Sequence, residues 1–279
     1  MNWIIAVGDS FLATLPWLAG LGAGFAVLVR LMPCNKGMFW GSDPRAAVTD
    51  LLYWFIGPLF VRVAKTFLLA AGVAMLFGGR DAGFAALAGL PIWVQCVLIL
   101  LIQDVCLYGI HRFFHTPRAW SFHAVHHSPR LLDWASASRN HFVNHLFSSI
   151  LVDVFVLLLG FQAEALIALV PFSMIYSSMV HANLNWTFGP FRYVFASPVF
   201  HRWHHVSEGE AIDKNFASTF PILDLIFGTF YMPVGQLPEH FGNGDVDYPE
   251  DFWGQFVSPF VKRERFAEPM PQNIPGSMS

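Results

Sequence analysis

Residues 10–29 and 82–103 contain no charged side chain. A run of about 20 apolar residues matches the hydrocarbon thickness of a bilayer, and this constrains the chain more than anything else in it. Composition agrees: 55% of the 279 residues are hydrophobic and 13% are charged, against about 25% charged in an ordinary soluble domain. A domain of this size cannot hide that much apolar surface, so lipid is expected to be part of its solvent. The net charge of −3, with no basic run interleaved with aromatics, excludes nucleic acid as an expected partner.

Two further stretches are apolar. Residues 48–78 carry Arg62 and Lys65, and Pro58 interrupts them, so they read as one long or broken span. The turn Gly78-Gly79-Arg80-Asp81 follows. Residues 146–180 are divided by Gly160-Phe161-Gln162 into two passes of about 17 residues, the lower limit for spanning. This predicts a helical hairpin that is not fully deep. The N-terminus has no basic region and Asp9 comes early, so the first run is expected to be an anchor and not a cleaved signal. Cys34, Cys96 and Cys106 match no zinc or redox spacing.

The expected fold is all-α: a multi-pass membrane helical bundle of about four or five spans, including the hairpin, with a histidine-rich cap. Residues 1–94 would hold the N-terminal spans, 95–235 the histidine-rich unit, and 236–279 a polar tail with Lys262, Arg263 and Arg265. Arg30, Lys36 and Arg45 follow the first run; Arg112, Arg118, Arg130 and Arg139 follow residues 82–103; Arg192, Arg202 and Lys214 follow the hairpin. The positive-inside rule places all three groups in the cytoplasm. The expected location is a bacterial inner membrane or the endoplasmic reticulum, with the cap cytoplasmic.

Eleven of the twelve histidines fall between His111 and His205; His240 lies apart, in an expected surface loop. They form His111-x-x-x-His115, His123-x-x-His126-His127 and His201-x-x-His204-His205, with His181 between the last two. On a helix, residues i and i+4 share a face, so each outer pair can grip one ion. His126 and His204 lie about 100° around from their neighbours, which suits reaching a second ion. Nine imidazoles exceed what one four- or five-coordinate metal can use. At this histidine content an HxxHH arises by chance roughly 0.02 times per chain, and here it occurs twice. Imidazole suits iron, zinc, copper or nickel.

These boxes carry a family resemblance. The strings HRFFHTPRAWSFHAVHHS (111–128), RNHFVNH (139–145), HANLNWTFGPFRYVFASPVFHRWHHVS (181–207) and DKNFASTFPILDLIFGTFYMP (213–233) make the chain similar to the fatty acid hydroxylase/sterol desaturase superfamily of membrane di-iron enzymes. The resemblance covers roughly residues 95–235. It implies a cytosol-facing site with two iron ions, zinc remaining open, together with O₂ and external electrons. It assigns as metal ligands His111, His115, His123, His126, His127, His181, His201, His204 and His205. Some relatives have a second histidine four residues after the position of His181. Here that residue is Asn185, which could hold a metal-bound water. Phe142, Ala217 and Leu223 replace a common proline, glycine and tryptophan.

Metal-bound histidines usually donate their other N–H to a carboxylate or carbonyl. Asp104, seven residues before His111, is one candidate for that support, since an acid in an apolar segment calls for a reason. The resemblance adds Asp213, Asn215 and Asp224, and gives His141 and His145 a supporting role. Phe113, Phe114, Trp120, Phe122, Trp134, Trp186 and Trp203 crowd the boxes as candidate cavity walls.

The function expected from the boxes and the resemblance is O₂-dependent oxidation of a lipid C–H position, hydroxylation ahead of desaturation. No flavin or haem-binding motif occurs in the chain, so a separate ferredoxin- or cytochrome-type protein is the expected electron donor. A dizinc membrane hydrolase and a metal transporter are the competing readings.

Overall fold

Pro91 sets the start of the longer of two helices that are long and apolar enough to cross a membrane: its extended conformation (φ −54°, ψ 141°) precedes Ile92, and with no N–H of its own it costs the first turn nothing. The computed structural model describes residues 2–77 and 87–261. The expected turn at 78–81 and the tail cations Lys262, Arg263 and Arg265 lie outside the described residues. Nine α-helices occur among the described residues. They are α1 (Asn2–Leu31), α2 (Pro44–Phe77), α3 (Ile92–Phe114), α4 (Trp120–His123), α5 (Phe142–Leu158), α6 (Ala163–His181), α7 (Pro198–His204), α8 (Ile222–Phe227) and α9 (Phe252–Val257). The only β pairing among the described residues is two isolated bridges, Pro33 with Leu184 and Val206 with Phe241.

The all-helical expectation holds for these residues. Residues 48–77 lie in one helix, α2, which retains Pro58 inside it. The hairpin is α5 and α6, turned at Gly160 with φ 85°, a conformation that glycine adopts without steric cost. The third apolar helix differs from the 82–103 reading: it begins ten residues later and ends at Phe114. Its backbone ladder continues through the polar residues because His111 still accepts from the His115 N–H.

Helices α3 and α6 are long and apolar enough to cross a membrane. Along α3, Trp93, Val97, Leu101 and Val105 recur every fourth residue on an uncovered face, with Trp93 71% and Val105 58% exposed. The opposite face packs against both α5 and α6. Ile99, Val152, Val156, Phe161, Ala165 and Leu169 form the core around the hairpin tip. A second core joins Phe25 and Trp54 of α1 and α2 to Trp134, Ala135, Ala182 and Leu184.

Two arginines counted as loop charges are buried parts of the fold. Arg139 pairs with Asp50 of α2, each side chain 3% exposed, and Arg202 is fully buried. Neither is free to act as a topological signal in a solvated loop.

Gln95 fastens the start of α3 to the hairpin. Its amide donates to Leu90 O (2.8 Å) and its carbonyl accepts the Gln162 N–H (2.9 Å). Gln95→Leu leaves two polar groups unpartnered in apolar surroundings, at about 1–3 kcal/mol each. The expected outcome is a clear drop in melting temperature in detergent, and an unchanged melting curve would contradict this role.

Candidate metal centre

Four helices deliver the nine imidazoles, all from their C-terminal ends. His111 lies in the last turn of α3 and His115 caps it. His123 ends α4, and the turn after it keeps one helical bond, His127 N–H to His123 O at 3.2 Å. His181 is the last residue of α6. Ser197 caps α7 by accepting the Phe200 N–H, Pro198 opens it, and His201, His204 and the C-cap His205 close it.

The rings sort into two groups whose ligating atoms lie within 4.8 Å of one another: His111, His115, His123, His127 and His204 in the first, His126, His181, His201 and His205 in the second. Each HxxHH box is split between them. The outer pair of the 123–127 box serves the first group and the outer pair of the 201–205 box the second, with the middle histidine crossing over. The groups adjoin, for the rings of His127 and His205 stack at 4.4 Å.

Hydrogen bonding fixes what five of these rings present. A neutral imidazole carries one N–H. His111 Nδ1 donates to Phe216 O (2.8 Å), His204 Nδ1 to Lys214 O (2.7 Å) and His115 Nδ1 to Asp213 (2.9 Å). In the second group, His126 Nδ1 donates to Arg139 O (3.1 Å) and His181 Nδ1 to Ser177 O (2.7 Å). Each Nε2 is therefore a bare lone pair aimed inward. His126 Nε2 and His181 Nε2 face each other at 3.3 Å, two lone pairs that repel unless a cation lies between the ligands. Nε2 of His115, His127 and His204 is buried with no partner among the described residues. This donor set fits metal ions.

Burial, and then the neighbouring imidazoles, push His123, His126, His127, His201, His204 and His205 well below the ordinary histidine value of 6.5. Neutral rings are the ligating form.

The expected supporting residues separate. Asp213 holds His115 directly. Asp224 acts one step back: it accepts from the Phe216 and Ala217 N–H groups and from Thr229 Oγ1, fixing the carbonyl that binds His111. Asn215, fully buried, ties Phe200 O and both polar groups of the Tyr231 backbone to the same loop. Asp104 touches no histidine; it accepts from Thr219 and Phe220 N–H. His141 caps α5 through the Val143 N–H and donates to Phe256 O, and His145 lines a cavity beside the centre; both stand outside the two groups. Asn185 is exposed, its N–H bonded to Met32 O.

Of the seven aromatics expected to wall a cavity, only Phe114 does so. Trp134 belongs to the core with Phe25, Trp40 and Trp54, Trp120 lies against His115 and His127, and Trp203 against Tyr231. The cavity measures about 290 Å³ and lies between α3, α5 and α6, ending on His111, His123, His126, His181 and His201.

Sequence reasoning missed a strap from the α1–α2 connection. Asp133 accepts from Trp40, Trp134 and Asn183 N–H. Asn183 donates to Asn35 O and Met38 O. Arg202 donates to Leu132 O (2.6 Å), His181 O (3.0 Å) and Asn35 Oδ1 (2.7 Å) and lies over the Phe241 ring at 4.5 Å. Arg202 thus joins the second and third boxes and His181 to the N-terminal helices. The Asp133–Ser136 capping pattern was the one local signal in the sequence.

Residues 96–229 match the family model described as fatty acid hydroxylase. Among characterised proteins, the chain is 30% identical to the ornithine lipid hydroxylase OlsE of Rhizobium tropici over 63% of its length and 53% of the relative's. It is 32% identical to the alkylglycerol monooxygenase of Danio rerio (48% and 30%) and 28% identical to methylsterol monooxygenase 1-1 of Arabidopsis thaliana (48% and 46%). The chain thus spans about half or less of the length of each. No solved structure matches it.

Two outcomes follow. Arg202→Met leaves Leu132 O, His181 O and Asn35 Oδ1 without this donor, at about 1–3 kcal/mol for each acceptor left unsatisfied, and the expected outcome is a lower melting temperature. For pH, the unfolded chain binds more protons than the folded one below the ordinary histidine value. Stability of the metal-free protein is then full above about pH 6.5 and declines as pH falls below it. Melting curves from about pH 7 to about pH 5 test this, and a flat profile would contradict the neutral, buried state of these rings.

Proposed function

Because residues 96–229 belong to the fatty acid hydroxylase family, we propose that this chain is a membrane-embedded two-iron oxygenase that hydroxylates a C–H position of a lipid. The observation that carries the reading is the pair of all-histidine groups with inward lone pairs. The relatives named above act on an ornithine lipid, an alkylglycerol and a methylsterol, so a membrane lipid is the substrate class.

His111, His115, His123, His127 and His204 would hold one iron ion, and His126, His181, His201 and His205 the other. Iron bound there would supply, with O₂ and electrons from a separate ferredoxin- or cytochrome-type donor, an oxidising power that no side chain possesses. The protein's own part is threefold. Asp213 and the carbonyls of Phe216, Lys214, Arg139 and Ser177 keep the proton on Nδ1 and the ring in one orientation. Burial of the rings keeps bulk water from the ligands. The cavity brings the substrate to His111, His123 and His126 from the side of the apolar helices.

Topology belongs to the same proposal. Helices α1, α2, α3 and the α5–α6 hairpin would lie in the membrane, with residues 1–94 as anchor, 95–235 as the oxidising unit and 236–279 as a tail. Arg30, Lys36, Arg45, Arg112, Arg118, Arg130, Arg192 and Lys214, the counted charges left outside the core, would place the centre in the cytoplasm. Desaturation uses the same arrangement and differs in whether a second hydrogen leaves. The absence of any carboxylate from both groups counts against a dizinc hydrolase, and their place at helix ends counts against a transporter.

Expression of the chain should add to one class of cellular lipids the mass of one oxygen atom, read by mass spectrometry of extracts. His126→Ala should abolish that product and lower bound iron. Full turnover in this variant, or in iron-free protein, would overturn the proposal; loss of two hydrogens in place of oxygen gain would make the reaction a desaturation.

A further inference from the structure

The cavity beside the metal centre is apolar over most of its surface, yet polar side chains interrupt its helical walls. Gln103 on α3, Ser148 on α5 and Ser173 on α6 all line it. None of the three has a hydrogen-bond partner among the described residues. A polar side chain in an apolar span without a protein partner marks a functional position. Three of them, from three helices, converge on one space.

Position along the helices gives the depth. Gln103 precedes His111 by eight residues, and Ser173 precedes His181 by eight. Eight residues are two helical turns, about 12 Å. Gln103 and Ser173 therefore lie at one level, two turns away from the histidines and toward the middle of the apolar helices, and Ser148 lines the same cavity from α5. Leu107 and Ile110 occupy the α3 wall between that level and the centre.

Charge narrows the ligand. No lysine or arginine lines the cavity, and the one acid, Asp104, has both oxygens engaged by the Thr219 and Phe220 N–H groups. A phosphate placed here would have no counter-charge and would pay the full penalty of desolvation. A plain hydrocarbon would leave the amide and both hydroxyls unpaired, which also costs. An uncharged oxygen-bearing group gives the amide N–H₂ and the hydroxyls an acceptor. At about 290 Å³ the space holds one segment of a lipid and not a whole molecule.

We propose that this cavity selects a lipid bearing an uncharged hydrogen-bonding group, a hydroxyl, ether or amide, which binds Gln103, Ser148 and Ser173 while a carbon two helical turns away meets the centre. This rests on the reading of the centre as a lipid oxygenase, yet binding can be measured apart from oxidation.

The test is native mass spectrometry of the full chain in detergent with four probes of one chain length: hexadecyl glycerol ether, N-hexadecyl acetamide, hexadecyl phosphate and hexadecane. The first two should show occupancy about tenfold above the last two, the scale of one or two hydrogen bonds. Their relative order separates hydroxyl and ether chemistry from amide chemistry. Gln103→Leu, and the triple variant with Ser148→Ala and Ser173→Ala, should erase the difference without lowering the melting temperature. His204→Ala, outside the cavity, should keep the selectivity while losing metal. If selectivity persists but no lipid is oxidised, the oxygenase reading fails and the binding site stands. Equal occupancy by all four probes, preference for the phosphate, or a triple variant as selective as the parent would overturn the inference.

Discussion

Everything in the centre depends on where one proton sits on each imidazole. A histidine ligates through a lone pair, and the ring offers that lone pair inward only if its N–H is held outward. Phe216 O, Lys214 O, Asp213, Arg139 O and Ser177 O do the holding. Three of these acceptors come from a single short stretch, 213–216. That stretch exists only because Asp213 and Asn215 adopt left-handed conformations (φ 57° and 58°). Asp and Asn tolerate this region better than other non-glycine residues do. The Asp224 carboxylate and the Asn215 amide then lock the loop against α7 and α8. The tautomers of the first group are thus set by backbone geometry a hundred residues away from His111.

The same logic explains why so much polar material is buried in so apolar a chain. A ring held in one orientation needs a backbone that does not move, and the second and third boxes lie in short helices that could not hold themselves. Isolated helices this short are unstable in water. The strap supplies the rigidity: Arg202 and Asn183 connect the box-bearing segments to residues 33–40, and Arg139 with Asp50 connects the 134–139 turn to α2. A buried charge pair is poor value as stabilisation alone. Here the Arg139–Asp50 pair fixes the residue whose carbonyl accepts from His126, so its contribution is positional.

What could be read beforehand followed from periodicity and composition. The hairpin break at Gly160, the helical content, and the crossing of His126 to the second group and of His204 to the first all follow from residue spacing, because a helix converts spacing into direction. Asp213 and Asp224 came from the resemblance, and both touch the loop that holds the rings. Asp104 was also singled out; it lines the same cavity as His111, but its oxygens are engaged by the Thr219 and Phe220 N–H groups and not by a histidine. The aromatics near the boxes failed for a related reason: adjacency in sequence does not say which side of a short helix faces the cavity. The strap was illegible because Asn35, Asp133, Asn183 and Arg202 meet across separations of up to 167 residues, and no periodic pattern links them. Arg139 and Arg202 even misled, for a buried arginine and a solvated one look alike in a charge count.

The placement of the ligands at helix ends carries one further consequence. All four ligand-bearing helices present C-terminal ends to the centre, and the last carbonyls of a helix give that end partial negative charge. For α4 and α7 the effect is small, since they have four and seven residues. For α3 and α6, with 23 and 19 residues, it is substantial. Charges in favourable, partly buried positions at such ends gain up to about 2 kcal/mol. Neutral imidazoles leave the full positive charge on any metal they bind, because no carboxylate stands in either group. The helix ends offset part of that charge without occupying a ligand position. An all-histidine centre in apolar surroundings would otherwise hold its cations against a large desolvation cost, and the convergence of two long helices at their negative ends is the feature of this fold that lowers it.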